Sequence, residues 1–320
     1  MPSFAGVGHT ATDDPRRTRR TLPSAPRPDP AVLARLLRLA SGLPLPVAHA
    51  LGCALGVLAW AVPNGFARRT RFHIARCLPE VRGWARERLV RAALCEAGKA
   101  LAELPILFAA PAPRVAALVR EVRGAELLRA AVAAGKGVIA ASPHLGSWEM
   151  AGLAYSRLQP IVTMYRPQAE PWDSLIKAGR ARFGAELVPS DRAGMRRLLE
   201  ALRAGGSVGV LPDQDPPIGS GVFAPFFGIV AHSPTFATRL ARRTGATILY
   251  VYAERLALGR GFVLHIERAP PEVADGDEVR AVTALNRGVE RLVRRFASQY
   301  YWAYMRFRRR PAGEPPYYPW

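Results

Sequence analysis

The sequence predicts an α/β protein, a mixed and largely parallel sheet flanked by helices, with an N-terminal helix attached to a membrane. Three observations point there. Between residues 137 and 266, short β-rich runs alternate with segments of helical spacing, as strands joined by helical crossovers do. Upstream, residues 39–67 contain no Asp, Glu, Lys or Arg. Residues 1–30 are rich in Pro, Arg, Thr and Ser and lack apolar periodicity, which reads as a basic tail without a packed core.

Taken in order, the tail is not a signal peptide, since no apolar core with a small-residue cleavage site follows it promptly. The most apolar stretch, Val47–Val62, reads VAHALGCALGVLAWAV, close to the lower limit of roughly 17 residues for a membrane span. Pro44 and Pro46 stand where its helix would start and Pro63 where it would stop. Arg35 and Arg38 flank one side, Arg68, Arg69 and Arg71 the other. Basic flanks at both ends leave orientation undecided. Spanning, in-plane attachment and a buried core helix all fit.

Residues 67–123 read as helical, with many charges and repeated Ala and Leu. Strands are expected at Gly137–Ser142, Ile161–Tyr165, Glu186–Val188, Val208–Leu211, Thr247–Tyr252 and Phe262–Ile266, with helices at Trp172–Phe183, Ala193–Ala204 and Thr235–Thr244. The chain then divides into a tail (1–30), a membrane-attachment segment (31–67), a catalytic domain (68–312) and a C-terminal tail (313–320).

The formal charge is +20, and lysine occurs only at Lys99, Lys136 and Lys177. So arginine-rich a surface suits anionic lipid, an acidic carrier protein or nucleic acid, or reflects a biased coding background. Cys53, Cys77 and Cys95 form no Cys-x-x-Cys pair, so neither a disulfide framework nor a zinc site is expected, and a reducing compartment is the simpler setting. No Gly-x-Gly-x-x-Gly, Walker or His-Glu-x-x-His motif occurs, and the Gly-x-Ser-x-Gly at 205–209 leads into the expected strand Val208–Leu211, not from a strand into a helix as a nucleophile elbow does. Nucleotide, serine-hydrolase and zinc-protease chemistry therefore have no motif behind them, and no cofactor is expected.

Ligands in open α/β sheets bind beyond the carboxyl ends of the strands. There the sequence places Pro143-His144-Leu145-Gly146-Ser147-Trp148-Glu149 after one run, Arg166-Pro167 after a second and Pro212-Asp213-Gln214-Asp215 after a third. On one helix, five positions turn through about 140°, so His144 and Glu149 meet only if the histidine lies in the loop and the glutamate in the first helical turn. A carboxylate so placed would hold one imidazole tautomer and leave the ring able to take a proton from an alcohol. The spacing alone equally fits a loop histidine and a glutamate favouring the helix dipole.

These blocks, in this order, resemble the bacterial late acyltransferases of lipid A biosynthesis, within the wider lysophospholipid acyltransferase group marked by His-x₄-Asp/Glu. The resemblance runs from about Leu33 to Pro311. It takes in HLGSWE, Tyr165-Arg166-Pro167, LPDQD at 211–215, GVFAPFFG at 221–228 and Pro234-Thr235, then Gln299-Tyr300-Tyr301-Trp302, Arg306-Phe307 and Arg310-Pro311. Tyr304 and Met305 depart from the His-Arg usual in the closing motif, which bears on the acceptor more than on the chemistry.

The resemblance implies a glycerol-phosphate acyltransferase-like fold and His144 as general base with Glu149 as its partner. Arg166, Asp213, Asp215 and Arg306 would serve the substrates. An acyl chain would pass from an acyl carrier protein thioester to a glycolipid hydroxyl at the inner membrane, the catalytic domain facing the cytoplasm. The expected partners are the carrier protein, a glycolipid acceptor and the membrane, and not nucleic acid. A lysophospholipid, amino-acid lipid or mannolipid is the alternative acceptor. A basic membrane- or nucleic-acid-binding protein without catalysis is the reading of a different class. Arg180, Arg182, Arg192, Arg196 and Arg197 are candidate carrier-protein contacts or a solvated helix face. Phe223, Pro225, Phe226 and Phe227 are for the most part core rather than an acyl path.

Overall fold

The computed structural model describes residues 30–170 and 172–320; the expected tail, save Pro30, lies outside them. Four helices open the described chain: α1 (Pro30–Ser41), α2 (Leu45–Ala61), α3 (Gly65–Cys77) and α4 (Gly83–Ala109). In α2 the buried positions are Leu45, Ala48, His49, Gly52 and Gly56, one helical stripe, and they pack on α4. Small residues let the two backbones touch: a Cβ on Gly52 would lie 2.6 Å from Gly98 carbonyl atoms, and one on Gly56 2.4 Å from the Leu94 oxygen. The opposite face of α2 exposes Val47, Leu51, Leu55, Leu58 and Val62.

Among the described residues no single helix is long and apolar enough to cross a membrane. Arg35–Ser41 and Leu45–Ala61 reach that composition only as a pair bent by 112°.

The rest of the chain alternates as expected: α5 (Ala112–Ala116), β1 (Val119–Arg123), α6 (Ala125–Ala133), β2 (Val138–Ala141), α7 (Trp148–Leu158), β3 (Ile161–Tyr165), α8 (Trp172–Ala181), β4 (Glu186–Pro189), α9 (Arg192–Arg203) and β5 (Ser207–Val210). There follow β6 (Gly221–Phe226), β7 (Ile229–Pro234), α10 (Phe236–Thr244), β8 (Thr247–Arg255), β9 (Phe262–Arg268) and α11 (Glu278–Arg295). The main sheet runs β1-β9-β8-β2-β5-β3-β4. Strands β8, β2, β5, β3 and β4 are parallel, while β9 pairs antiparallel with β8 and carries β1 beside it. It is thus a mixed, largely parallel sheet flanked by helices. The central strands are apolar throughout, β2 being buried at every position, because helices cover both faces.

Two elements depart from the sequence expectation. Residues 119–123 form edge strand β1, not the end of a helical region; its VREVR pattern puts charge on an exposed edge. Residues 221–234 form a separate hairpin, turned by Phe227 and Gly228, both with positive φ (51° and 72°), as a two-residue hairpin turn requires.

Candidate active site

The parallel strands bring the ends of β2, β3 and β5 to one edge of the sheet. The loop after β2 is held there from two sides. The Gly146 N–H donates to the Gln299 carbonyl (2.9 Å), Ser147 N–H to the Ala253 carbonyl (2.8 Å), and Tyr301 N–H to the His144 carbonyl (3.0 Å). Gly146 has φ 62°, and a Cβ there would stand 2.1 Å from the Ala253 oxygen, so no other residue fits. The Gln299-Tyr300-Tyr301 segment is in effect the second wall of the histidine loop.

The His144 side chain is largely buried, and its Nδ1 donates to Asp213 Oδ1 at 2.8 Å. The His144 backbone N–H donates to the other oxygen, Oδ2, at 2.9 Å. That fixes the tautomer and leaves Nε2 as the lone-pair nitrogen, where the Gln214 amide donates at 3.0 Å. Asp213 is fully buried; burial alone would raise its pKa, but the imidazole beside it and its hydrogen bonds hold the carboxyl below the usual range. Trp148 and Tyr301 pack on the imidazole, with ring centroids at 5.3 and 6.4 Å.

Glu149 is not the partner of the imidazole. It lies in the first turn of α7, behind the Ser147 N-cap, and takes a bidentate ion pair from Arg180 of α8 (2.9 and 2.5 Å). Two positions past the cap, its side chain leaves the helix toward α8, while the histidine in the loop faces the β5 end. The expected loop-and-first-turn placement is therefore correct, but the His144–Glu149 pair is not made: the two side chains take different partners, Asp213 and Arg180.

Of the residues expected to serve substrates, Arg166 is exposed at the end of β3. Asp213 belongs to the imidazole. Asp215 is buried and accepts from His232 Nδ1 (2.8 Å) and Arg309 (3.0 Å). Arg306 is buried too, donating to the His232 carbonyl (2.6 Å) and Ser233 Oγ (2.5 Å). In this structure Asp215 and Arg306 fasten the β6–β7 hairpin and the C-terminal segment to the site rather than face an open cleft. Phe226 and Phe227 are core, whereas Phe223 and Pro225 are exposed, so two of the four rather than most of them are core. Among the arginines singled out, Arg180 pairs with Glu149, Arg182 donates to the Leu107 and Ala110 carbonyls at the end of α4, and Arg197 pairs with Glu186.

An apolar cleft of about 120 Å³, open at its mouth, runs under α7 across β2, β5 and β3, next to the Trp148 ring that packs on the imidazole. Trp148, Glu149 and Arg180 line it, with Ala140, Gly209 and Ile161 among the residues along the sheet. Ser142, two residues before His144, lines it as well, and its buried hydroxyl bonds to no described residue.

A second buried cluster supports the loop from behind. Glu103 of α4 accepts from Ser147 Oγ (2.6 Å), His49 Nε2 (3.0 Å) and, bidentately, Arg255 (2.9 and 2.7 Å). The sequence reading missed it because its members lie on α2, α4, the loop and β8; the one signal was a Glu within an apolar helical stretch.

Residues 31–309 match the model of the family described as bacterial lipid A biosynthesis acyltransferase. The chain belongs to that family. The Escherichia coli (strain K12) lipid A biosynthesis lauroyltransferase is 30% identical over 287 residues, covering 88% of this chain and 92% of the relative. The lipid A biosynthesis palmitoleoyltransferase of the same organism is 30% identical over 280 residues, covering 86% and 90%. A phosphatidylinositol mannoside acyltransferase of Mycobacterium tuberculosis (strain CDC 1551 / Oshkosh) is 31% identical over 152 residues, covering 46% and 48%. As a member of the lipid A acyltransferase family this chain is an acyltransferase, which sets aside the reading as a non-catalytic basic protein.

Proposed function

We propose that the protein moves a fatty acyl chain from an acyl carrier protein thioester to a hydroxyl of a lipid A precursor or related glycolipid, with His144 as general base and no acyl-enzyme. The observation that carries this reading is the orientation of His144. Nδ1–H is committed to buried Asp213, so Nε2 is the basic nitrogen, and Trp148, which packs on the ring, lines an apolar cleft. Asp213 keeps the tautomer and favours the imidazolium that forms. Gln214 occupies the place beside Nε2 that an incoming hydroxyl needs, and it swings away as the acceptor arrives.

Nε2 then takes the hydroxyl proton as the oxygen attacks the thioester carbon. The developing oxyanion needs positioned donors; Ser142 Oγ and the Arg180 guanidinium, held by Glu149, are the cleft-lining groups with that capacity. Collapse breaks the C–S bond, the imidazolium returns its proton to the thiolate, and the ester is complete. The acyl chain lies in the apolar cleft under α7. Arg166, exposed beyond β3 on the same sheet edge, meets the donor.

The exposed apolar face of α2, continued by Leu36 and Leu39 of α1, supports attachment in the plane of the cytoplasmic membrane, with basic residues at head-group level. The catalytic domain faces the cytoplasm, where an acidic carrier protein is met by the +20 charge. Purified His144→Ala should fold normally and transfer acyl chains about 10²–10⁴ times more slowly. Transfer near the wild-type rate in that variant removes the general base from the scheme.

A further inference from the structure

The sheet order β8-β2-β5 sets three loops side by side on the carboxyl edge, because these strands run parallel. The histidine loop after β2 stands in the middle. On one side the loop after β5 closes in a turn, Ser220 N–H donating to the Pro217 carbonyl (3.0 Å). On the other side the β8–β9 connection turns over residues 257–260, Arg260 N–H donating to the Ala257 carbonyl (3.3 Å). Each turn holds its first corner out to solvent, and each corner is a large aliphatic residue. Ile218 is 85% exposed and Leu258 86%.

Neither side chain is there for the turn. Leu258 and Gly259 both have positive φ (57° and 67°), which favours Asn, Asp or Gly at the first place, yet leucine stands there. Beside Ile218, Gly219 supplies the left-handed position with φ 82°, and proline suits such a first corner better than isoleucine. Basic groups stand behind both tips. Arg260 is exposed next to Leu258, while Arg308 and Arg309 reach Asp215, and Arg309 also the Pro216 carbonyl, just ahead of Ile218. The Leu258 tip adjoins the apolar anchor as well: a Cβ on Gly259 would lie 2.4 Å from Pro46 Cα, at the start of α2.

We infer that these two turns are lipid-inserting tips that seat the catalytic edge itself on the bilayer, one on each side of the histidine loop. An apolar tip with a basic collar suits an anionic lipid surface, the aliphatic group entering the acyl layer and the guanidinium staying among head groups. Short tethers set the depth. Leu258 comes five residues after Ala253, which accepts from Ser147 N–H, and Ile218 five residues after Asp213, which holds His144. Five residues span at most about 18 Å, so the lipid surface stands within that reach of the loop's two supports. Attachment by α2 alone would let the enzyme roll about that helix, and the tips fix which edge faces the lipid. This placement rests on the attachment through α2 proposed above and adds to it the edge that meets the membrane.

The test uses the full chain with Cys53, Cys77 and Cys95 replaced by Ala and one new cysteine carrying an environment-sensitive fluorophore. Ile218→Cys and Leu258→Cys probe the tips, Leu55→Cys the exposed face of α2, and Val279→Cys the start of α11, past the other end of β9. On vesicles of phosphatidylethanolamine and phosphatidylglycerol, the probes at 218, 258 and 55 should shift to the blue and be quenched by lipid spin-labelled in its acyl chain. The probe at 279 should stay in water. Burial at 55 with either tip left in water overturns the proposal and leaves attachment through α2 standing; a probe at 55 that also stays in water removes both. A response of the tip probes to acyl carrier protein and not to vesicles would make the edge a protein-docking face and overturn the proposal too. A second arm keeps the native cysteines. Ile218→Asp/Leu258→Asp should transfer to acceptor in these vesicles roughly tenfold more slowly, having lost two lipid-buried aliphatic groups, and in detergent micelles within about twofold of wild type. Wild-type transfer in vesicles, or an equal loss in micelles, overturns the proposal.

Discussion

At the scale of single residues, three side chains around one imidazole divide the work, and they can be told apart. Asp213 bonds both the His144 ring and its backbone N–H, so Asp213→Asn lets the ring turn to the wrong tautomer. The fall in kcat should approach that of His144→Ala, and a kcat near the wild-type value would free Asp213 from that role. Glu149 touches the imidazole through no hydrogen bond and holds Arg180. Glu149→Gln should therefore lower kcat by less than Asp213→Asn, on the order of tenfold, the share of one weakened charge-assisted contact. If the two variants fell equally, Glu149 would have to meet the histidine during turnover. Gln214→Ala exposes Nε2, so its acceptor KM should fall or stay level while kcat changes little; a kcat loss of a hundredfold would make Gln214 part of the chemistry. The sequence made His144 legible, because a polar loop after a buried strand is where such a site must stand. Its partner was not: the sequence expectation put Glu149 there and left Asp213 to the substrates, since sequence spacing is blind to which strand ends lie side by side. Order in the sheet decides that: β2 and β5 are neighbours, and so the residue after β5 wins.

At the scale of elements, α7 roofs the apolar cleft, and its middle carries a glycine. A Cβ on Gly152 meets nothing within 4 Å, and the residue lines the cleft. Gly152→Leu should thus stabilise the helix by about 1 kcal/mol, while narrowing the space for the donor chain. The expected outcome is a raised melting temperature together with transfer of long acyl chains reduced relative to short ones, read by competing donors of different length. A variant that is more stable with unchanged chain preference would place the acyl chain elsewhere. The glycines of the α2–α4 contact behave in the opposite sense: with backbone 2.6 Å from its would-be Cβ, Gly52→Leu should pry the helices apart and release α2. Central strands were readable as short continuous apolar runs, and amphipathic helices because one-sided burial imposes a period. Strand β1 was not, since an edge strand has one solvated side and VREVR reads as a charged helix end. The hairpin was not either: Pro225 and Pro234 argue against strands by residue type, and the two-residue turn hides behind Phe227.

At the scale of the whole molecule, buried charge ties distant segments together and sets how the fold responds to acid. His73 of α3 donates from Nδ1 to the Trp302 carbonyl (2.6 Å) and accepts at Nε2 from Tyr318 (2.7 Å), so the N-terminal helices, the closing motif and the C-terminus meet at one ring. Burial lowers its pKa to about 4, the Trp302 bond opposing and Arg69 adding to the effect. Below pH 6.5 the unfolded chain takes up a proton that the native ring refuses, so stability is lost as pH falls from about 6.5 to about 4. Glu103 acts lower down. Burial by itself would raise it, yet Arg255, His49 and Ser147 bring it to about 2, and the stability it contributes is present above about 4.5 and lost as pH falls toward 2. Two windows follow, each with its own variant. His73→Gln should flatten the decline in urea midpoint between pH 6.5 and 4, a window worth on the order of 3 kcal/mol, and leave the lower one intact. Glu103→Gln should destabilise by about 3–5 kcal/mol near neutral pH, because Arg255 is left buried without its principal partner. It should also cost activity at temperatures where the protein is still folded, since Ser147 and the histidine loop lose their anchor. An unchanged midpoint for Glu103→Gln would mean that α2, α4 and β8 hold the loop without it.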